Sequence, residues 1–192
     1  VFCEKVGVDM SSFGVVLDAC ALFPAYLRDT LLRAAQAGLY RLQLTDNILE
    51  EVYRNLVRKG VQEQGAKRLI EEVKRNFPQS FVEQYHLLIP SMPINEKDRH
   101  VLAAAVATGA QVIVTQNLKD FPPHLLTPFY VKAQSPDDFL IHLFYFDTEG
   151  LIKILINQAG MLRKPPKTVL ELLDTLNQHA PKFVNLARQW FE

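Results

Sequence analysis

Two short, wholly apolar runs constrain this chain most: "VVL" at 15–17 and "VIV" at 112–114. The first reads as a buried strand ending near Asp18, the second as a strand followed by a turn. The first runs straight into Asp18. In "GVVLDACALFP" (14–24) that carboxylate is the only charge. A lone anion where water is scarce calls for a chemical reason.

The segments around these runs carry helical spacing. "PAYLRDTLLRAAQAG" (24–38) repeats Leu27, Leu31, Leu32 and Ala35, with Pro24 at its start and Gly38 as its stop. "LYRLQL" (39–44) alternates and predicts a short strand. "TDNILEEVYRNLVRKG" (45–60) and the charged "VQEQGAKRLIEEVKRNF" (61–77) predict two more helices. "FVEQYHLLIP" (81–90) reads as a strand with a loop, and "NEKDRHVLAAAVATGA" (95–110) as a helix closed by Gly109. "QVIVTQNLKDFP" (111–122) is a strand followed by a turn, and residues 123–135 connect onward. Strands alternating with helices predict an α/β fold with a mostly parallel sheet. Ligands of such sheets sit beyond the carboxyl ends of the strands. Asp18 lies at one such end; Thr115, Asn117 and Asp120 lie at another.

The tail is helical by pattern. Pro136 follows Ser135 at a first helical turn, and "RKPPK" (163–167) separates two later helical stretches. The expected division is a core over 14–135 and a helical extension over 136–192. The tail's apolar stretches, "LIKILI" and "FLIHLFYF", suit a dimer surface or packing against residues 24–60 equally well.

Charge and length narrow the setting. The 192 residues carry 21 basic and 21 acidic side chains, so no global field draws the chain to nucleic acid or an anionic membrane. Any nucleic-acid contact must use a local patch. The uncharged run at 101–118 contains Gly109, Gln111, Gln116 and Asn117, which reads as helix, turn and strand rather than a membrane span. Glu4, Lys5 and Asp9 interrupt the amino end, so no signal peptide is expected. Two cysteines, Cys3 and Cys20, make neither a disulfide framework nor a zinc site. They are expected as reduced thiols in a cytoplasm, with Cys20 a small core residue.

Acidic residues adjoin apolar elements in four segments: Asp18, Glu50 or Glu51, Asp98, and Asp120. Magnesium and manganese prefer oxygen ligands, and a bound cation relieves the repulsion between packed anions. Each residue also has a plain structural reading. Asp18 could bond turn amides. Glu50 falls three after Asn47 and Asp98 three after Asn95, both capping-box spacings. Asp120 before Phe121-Pro122 suits a turn. With Glu50 assigned to a cap, Glu51 remains for a site.

Together, "VVLDACALFP", "ILEEVYRNL", "DRHVLAAAVATGA" and "VIVTQNLKDFP" resemble the successive motifs of the PIN-domain family, in order and spacing, over about residues 14–135. The tail motifs "SPDDFL", "RKPP" and "LLDTLN" resemble the extension of a bacterial PIN subfamily within the VapC-type toxins. The resemblance implies a PIN-like parallel sheet flanked by helices with a helical C-terminal extension. It also implies a Mg2+- or Mn2+-dependent endoribonuclease leaving 5′-phosphate and 3′-hydroxyl ends. By position, Asp18, Glu51, Asp98 and Asp120 match the family's catalytic and metal-binding acids, and Thr115 and Asn117 match its last motif. Asn117 stands where many relatives carry Asp, and one extra residue separates it from the Asp120-Phe121 pair. Whether Asn117 or Asp120 completes the metal shell is therefore open.

The implied roles follow. Asp18 and Asp98 ligate the principal metal, Glu51 holds a metal-bound water or acts as its base, and Asp120 and Asn117 complete the shell. Thr115 orients a water or phosphate oxygen, and Lys119 and Arg99 meet the phosphate. The cations Arg54, Arg58, Lys59, Lys67, Arg68, Lys74 and Arg75 alternate with glutamates and read as a solvated helical face. His100 is expected exposed or partly packed, since helical neighbours point about 100° apart. The expected partners are RNA, an antitoxin whose chain enters the acidic groove with a basic side chain in place of metal, and a second copy of the chain; no membrane is expected. The rival is a PIN-fold RNA- or protein-binding module with little turnover. A phosphatase of the Asp-x-Asp type is disfavoured because Cys20 stands at the second Asp position. A DNA nuclease remains compatible with the acids.

Overall fold

The computed structural model describes residues 13–163 and 165–191. The amino-terminal expectations, including the state of Cys3, lie outside the described residues. Four strands, β1 (Gly14–Leu17), β2 (Arg41–Gln43), β3 (Val112–Val114) and β4 (Lys132–Gln134), form one parallel sheet in the order β2-β1-β3-β4. In register, Val16 lies beside Gln43 on one side and Ile113 on the other, and Ile113 pairs with Ala133. The two apolar runs are the two inner strands. Val15, Val16, Leu17, Ile113 and Val114 are fully buried, as covering both faces of a parallel sheet requires. The edge strands expose Arg41 and Lys132.

Helices cover the sheet. A short helix, α1 (Ala19–Leu22), leaves β1 at once, and Pro24 separates it from α2 (Ala25–Gln36). Then come α3 (Asp46–Arg58) and α4 (Glu63–Asn76). Thr45 caps α3 by accepting from Ile48 N, so the expected Asn47–Glu50 box does not form; Glu50 pairs with Arg54 instead. Helix α5 (Arg99–Thr108) lies on β1 and β3. Its Ala103, Ala104 and Ala105 are fully buried, and such small side chains let the helix backbone approach the sheet. It ends at Gly109, whose φ of 62° is left-handed and favours glycine.

Three expectations need correction. Residues 81–90 form no strand: Phe81 makes a single bridge to Leu44, and tight turns at Tyr85–Leu87 and Ile89–Ser91 follow. Gln84 takes a left-handed φ of 58° and Pro90 has no amide hydrogen, both hostile to a ladder. Second, the helix expected from 95 opens as a tight turn, Glu96–Asp98, and turns α-helical at Arg99. Third, the connection at 123–135 contains α6 (Pro123–Leu126) and edge strand β4.

The tail comprises α7 (Pro136–Phe146), α8 (Thr148–Met161), α9 (Val169–Leu176) and α10 (Pro181–Arg188). Ser135 caps α7 with Pro136 in its first turn, as the pattern predicts. The tail packs on α2. Gln158, fully buried on α8, accepts from Thr30 Oγ1 at 2.7 Å and donates to Tyr26 O at 3.0 Å. Asp137, on α7, accepts from the backbone amides of Lys182 and Phe183 in the first turn of α10. Among the described residues, no helix is long and apolar enough to cross a membrane.

Candidate active site

The inner strands end side by side, and their ends position the first two polar groups. Asp18 N donates to Val114 O, which extends the β1–β3 ladder by one residue. Asp18 occupies the N-cap position of α1 without bonding its amides. The carboxylate points at the end of β3 instead, where the fully buried Thr115 donates to Asp18 Oδ2 at 2.7 Å. Cys20 Sγ donates to the same oxygen at 2.9 Å and accepts from Gln116 N at 3.1 Å. Cys20 is therefore no mere core filler. Burial, and then the Asp18 charge, push its thiol up to about 12, so it stays a donor at neutral pH. Both donors act on Oδ2, which leaves Oδ1 of Asp18 without a protein donor among the described residues.

The chain beyond β3 turns tightly. Asn117 N donates to Thr115 Oγ1 at 3.0 Å, and Asn117 Nδ2 donates to Asp120 Oδ2. Asp120 ends the turn Leu118–Asp120 and also takes Lys97 Nζ at 2.6 Å. These bonds to Lys97 and Asn117, and the charge of nearby Lys119, hold its carboxyl below the usual range. Arg99 is tied to the loop before it, its Nε donating to Ile94 O at 3.1 Å.

Asp98 is the centre of the cluster. The Asn95 side chain caps Lys97 N, so the capping role passes Asp98 by. Its Oδ2 is buried with no hydrogen-bond donor, and the nearest cation, Lys97 Nζ, stands 3.7 Å away. Burial first, and then the charges of Asp120, Asp18 and Glu51, raise the Asp98 carboxyl to about 6 against the opposing pull of Lys97. Four acids from four separate segments thus act on one another. Glu51, on α3, is the most peripheral; its Oε1 lies 3.0 Å from Nε2 of His100 on α5. His100 is buried rather than exposed, with Nδ1 unpartnered.

As the side chains stand, no three His, Cys, Asp or Glu groups among the described residues are placed to hold one metal ion. The reason is visible: Glu51 is drawn to His100, and Asp120 to Lys97 and Asn117. The donor chemistry nevertheless fits a hard divalent cation. Two carboxylate oxygens, one on Asp18 and one on Asp98, lack a hydrogen-bond donor, and Asp98 is half-buried among the charges of Asp120, Asp18 and Glu51, opposed by Lys97. Sequence reasoning missed Lys97, Cys20 and His100; only proximity to Asp98 in "NEKDRH" hinted at the first and last.

Comparison with known proteins supplies the context. Residues 14–119 match the PIN domain, and residues 136–189 match the VapC50 C-terminal domain. The chain is similar to the Mycobacterium tuberculosis protein named "Putative ribonuclease VapC50", at 42% identity over 112 residues. That stretch covers 58% of this chain and 66% of the relative, just under two thirds of its length. No solved structure matches. With the parallel sheet, the acids at its strand ends and a family match over most of the core, this chain belongs to the PIN-domain family and carries a VapC50-type C-terminal segment.

Proposed function

We propose that this protein is a divalent-metal-dependent endoribonuclease and the toxin of a toxin–antitoxin pair. The observation that carries the reading is the donor-free, buried oxygen of Asp98, set among the charges of Asp18, Glu51 and Asp120. Asp18 and Asp98 would hold Mg2+ or Mn2+, with Asp120 and Asn117 completing the shell and Glu51 holding a metal-bound water. When bound, the ion would lower the pKa of a water and neutralise charge on the scissile phosphate.

The chain's own groups supply the rest. Thr115 and Cys20 fix one oxygen of Asp18, so the other faces the site. Glu51, steadied by His100, accepts a proton from the attacking water. Water oxygen bonds to phosphorus, the bond to the 3′ oxygen breaks and that oxygen takes a proton from solvent, leaving a 5′-phosphate and a 3′-hydroxyl. Lys119 and the terminal nitrogens of Arg99 face the phosphate charge. Core and tail act as the units 14–135 and 136–192. The antitoxin would reach the same acids with a basic side chain, a place that Lys97 now fills from within.

The test is cleavage of single-stranded RNA with Mg2+ or Mn2+ by wild type and Asp18→Asn. Metal-dependent cleavage lost in the variant, with an unchanged circular dichroism spectrum, supports the reading. Equal cleavage by both overturns it. The second reading, a PIN-fold binding module, is favoured by the ammonium of Lys97 already seated on Asp120. Its signature is RNA binding without metal-dependent turnover.

A further inference from the structure

Beside the acidic cluster lies a cavity of about 340 Å³ whose wall includes Cys20, Phe23, Arg58, Lys59, Gln116 and His179. It shares that wall with the candidate active site, since Cys20 Sγ is bonded to both Asp18 Oδ2 and Gln116 N. Its charge is one-sided: two cations and no carboxylate line it. Two larger grooves among the described residues differ, one mixing Lys67 and Lys74 with Asp46 and Glu71, the other mixing Arg28 and Arg33 with Asp29 and Glu72. Arg58 bonds only the neutral amide of Asn55, and neither Arg58 nor Lys59 is paired with a carboxylate among the described residues.

His179 comes from the turn between α9 and α10, so the C-terminal segment closes the cavity that the core opens. Burial lowers the pKa of its imidazole. At neutral pH it therefore offers a ring face and hydrogen bonds rather than charge. Unpaired cations take phosphates, and aromatic and imidazole rings stack on bases. The volume is at the small end for a ligand site, suited to one nucleotide rather than a strand.

We infer that this cavity seats one nucleotide flanking the scissile phosphate of a single-stranded RNA, with Arg58 and Lys59 on its phosphates and Phe23 and His179 on its base. The placement beside a scissile phosphate rests on the ribonuclease reading. The C-terminal segment then takes part in substrate choice, through one imidazole, and does not serve only as packing.

The test has two arms. In the first, the full chain without metal is titrated with a fluorescein-labelled RNA oligonucleotide of random sequence at several salt concentrations. Arg58→Gln and Lys59→Gln each weaken binding roughly three- to ten-fold and reduce the salt slope by about 1. Arg54→Gln, on the same helix but paired with Glu50, leaves binding unchanged. In the second arm, cleavage ends are mapped on a random RNA pool. His179→Ala and Phe23→Leu alter base preference at one position next to the cut and raise KM, with kcat within about two-fold of wild type. His179→Asn, which keeps a hydrogen-bonding group, restores part of the preference. Binding by Arg58→Gln and Lys59→Gln equal to wild type overturns the inference, as does an unaltered base profile in His179→Ala and Phe23→Leu. If wild type shows no metal-dependent cleavage the ribonuclease reading fails, and the binding arm alone decides whether the cavity takes a nucleotide.

Discussion

Nε2 of His100 on α5 lies 3.0 Å from Oε1 of Glu51 on α3, and this one contact ties the helix that carries Glu51 to the helix that begins directly after Asp98. The imidazole is buried while the Glu51 side chain is 40% exposed. Losing the ring should therefore cost more than losing the carboxylate. His100→Ala is expected to destabilise the protein by about 2 kcal/mol and Glu51→Ala by under about 1 kcal/mol. A double-mutant cycle by urea unfolding should give a coupling of about 0.5–1 kcal/mol. Zero coupling would mean that the contact does not position Glu51.

Asp98 sets the pH response of the metal-free protein. Its folded-state carboxyl is raised to about 6, above its value of about 3.9 in an unfolded chain. Such a group contributes stability that is fully present below about pH 3.9 and is lost as pH rises through about 6. The charged carboxylate is thus a liability at neutral pH. Asp98→Asn should stabilise the metal-free protein at pH 8 by about 1 kcal/mol, a figure already discounted for solvent screening. The gain should shrink as pH falls through about 6 and vanish at about pH 3.9. Urea midpoints in EDTA across pH 4–8 measure this, and a gain independent of pH would contradict it.

Much of this site was legible because a parallel sheet collects its ligands at one edge. An apolar run ending in Asp18 and a second ending at Thr115 are enough to place both residues there. The contacts that set the site's electrostatics were not legible. Lys97 meets Asp120 across 23 residues, and Glu51 meets His100 across 49, distances over which periodicity carries no information. His100 was misplaced by treating residues 95–110 as one helix, for Asp98 ends a tight turn and the 100° rule does not span the junction. Strand β4 escaped because Lys132, Ala133 and Gln134 show no apolar pattern; only the ladder to β3 makes them a strand.

Lys97 holds the position of a competing cation, with Nζ 2.6 Å from Asp120 and 3.7 Å from Asp98. Replacing it with a neutral side chain leaves the carboxylate repulsion without a counter-charge. Lys97→Met should therefore bind Mn2+ roughly three- to ten-fold more tightly, as read by calorimetry on the metal-free protein. Weaker binding would show that Lys97 supports the metal site rather than competing for it.

Cys20 should be a slow thiol. With its pKa pushed up to about 12 by burial and by Asp18, the thiolate is scarce at pH 8. In a Cys3→Ser background, its reaction with a disulfide reagent should be on the order of 100-fold slower than that of free cysteine. Asp18→Asn removes the charge that opposes thiolate formation and should accelerate the reaction. A rate at pH 8 equal to that of free cysteine would place the sulfur outside the Asp18–Thr115 network.

The tail's hold on itself can be broken at a single carboxylate. Asp137 is buried on α7, and its two oxygens accept from Lys182 N at 3.2 Å and Phe183 N at 2.8 Å, two otherwise unpaired amides at the start of α10. A carboxylate there also meets the positive end of the helix dipole. Asp137→Ala leaves both amides without partners and opens a small void, so a loss of about 2–3 kcal/mol is expected. Asp137→Asn keeps one acceptor and should lose about half of that. Because α10 packs on α7 and α9, and His179 lies just before α10, loosening that helix also loosens one wall of the nucleotide cavity. Thermal unfolding measures the first effect and RNA affinity the second. A large stability loss with unchanged RNA affinity would separate the tail's packing from substrate binding.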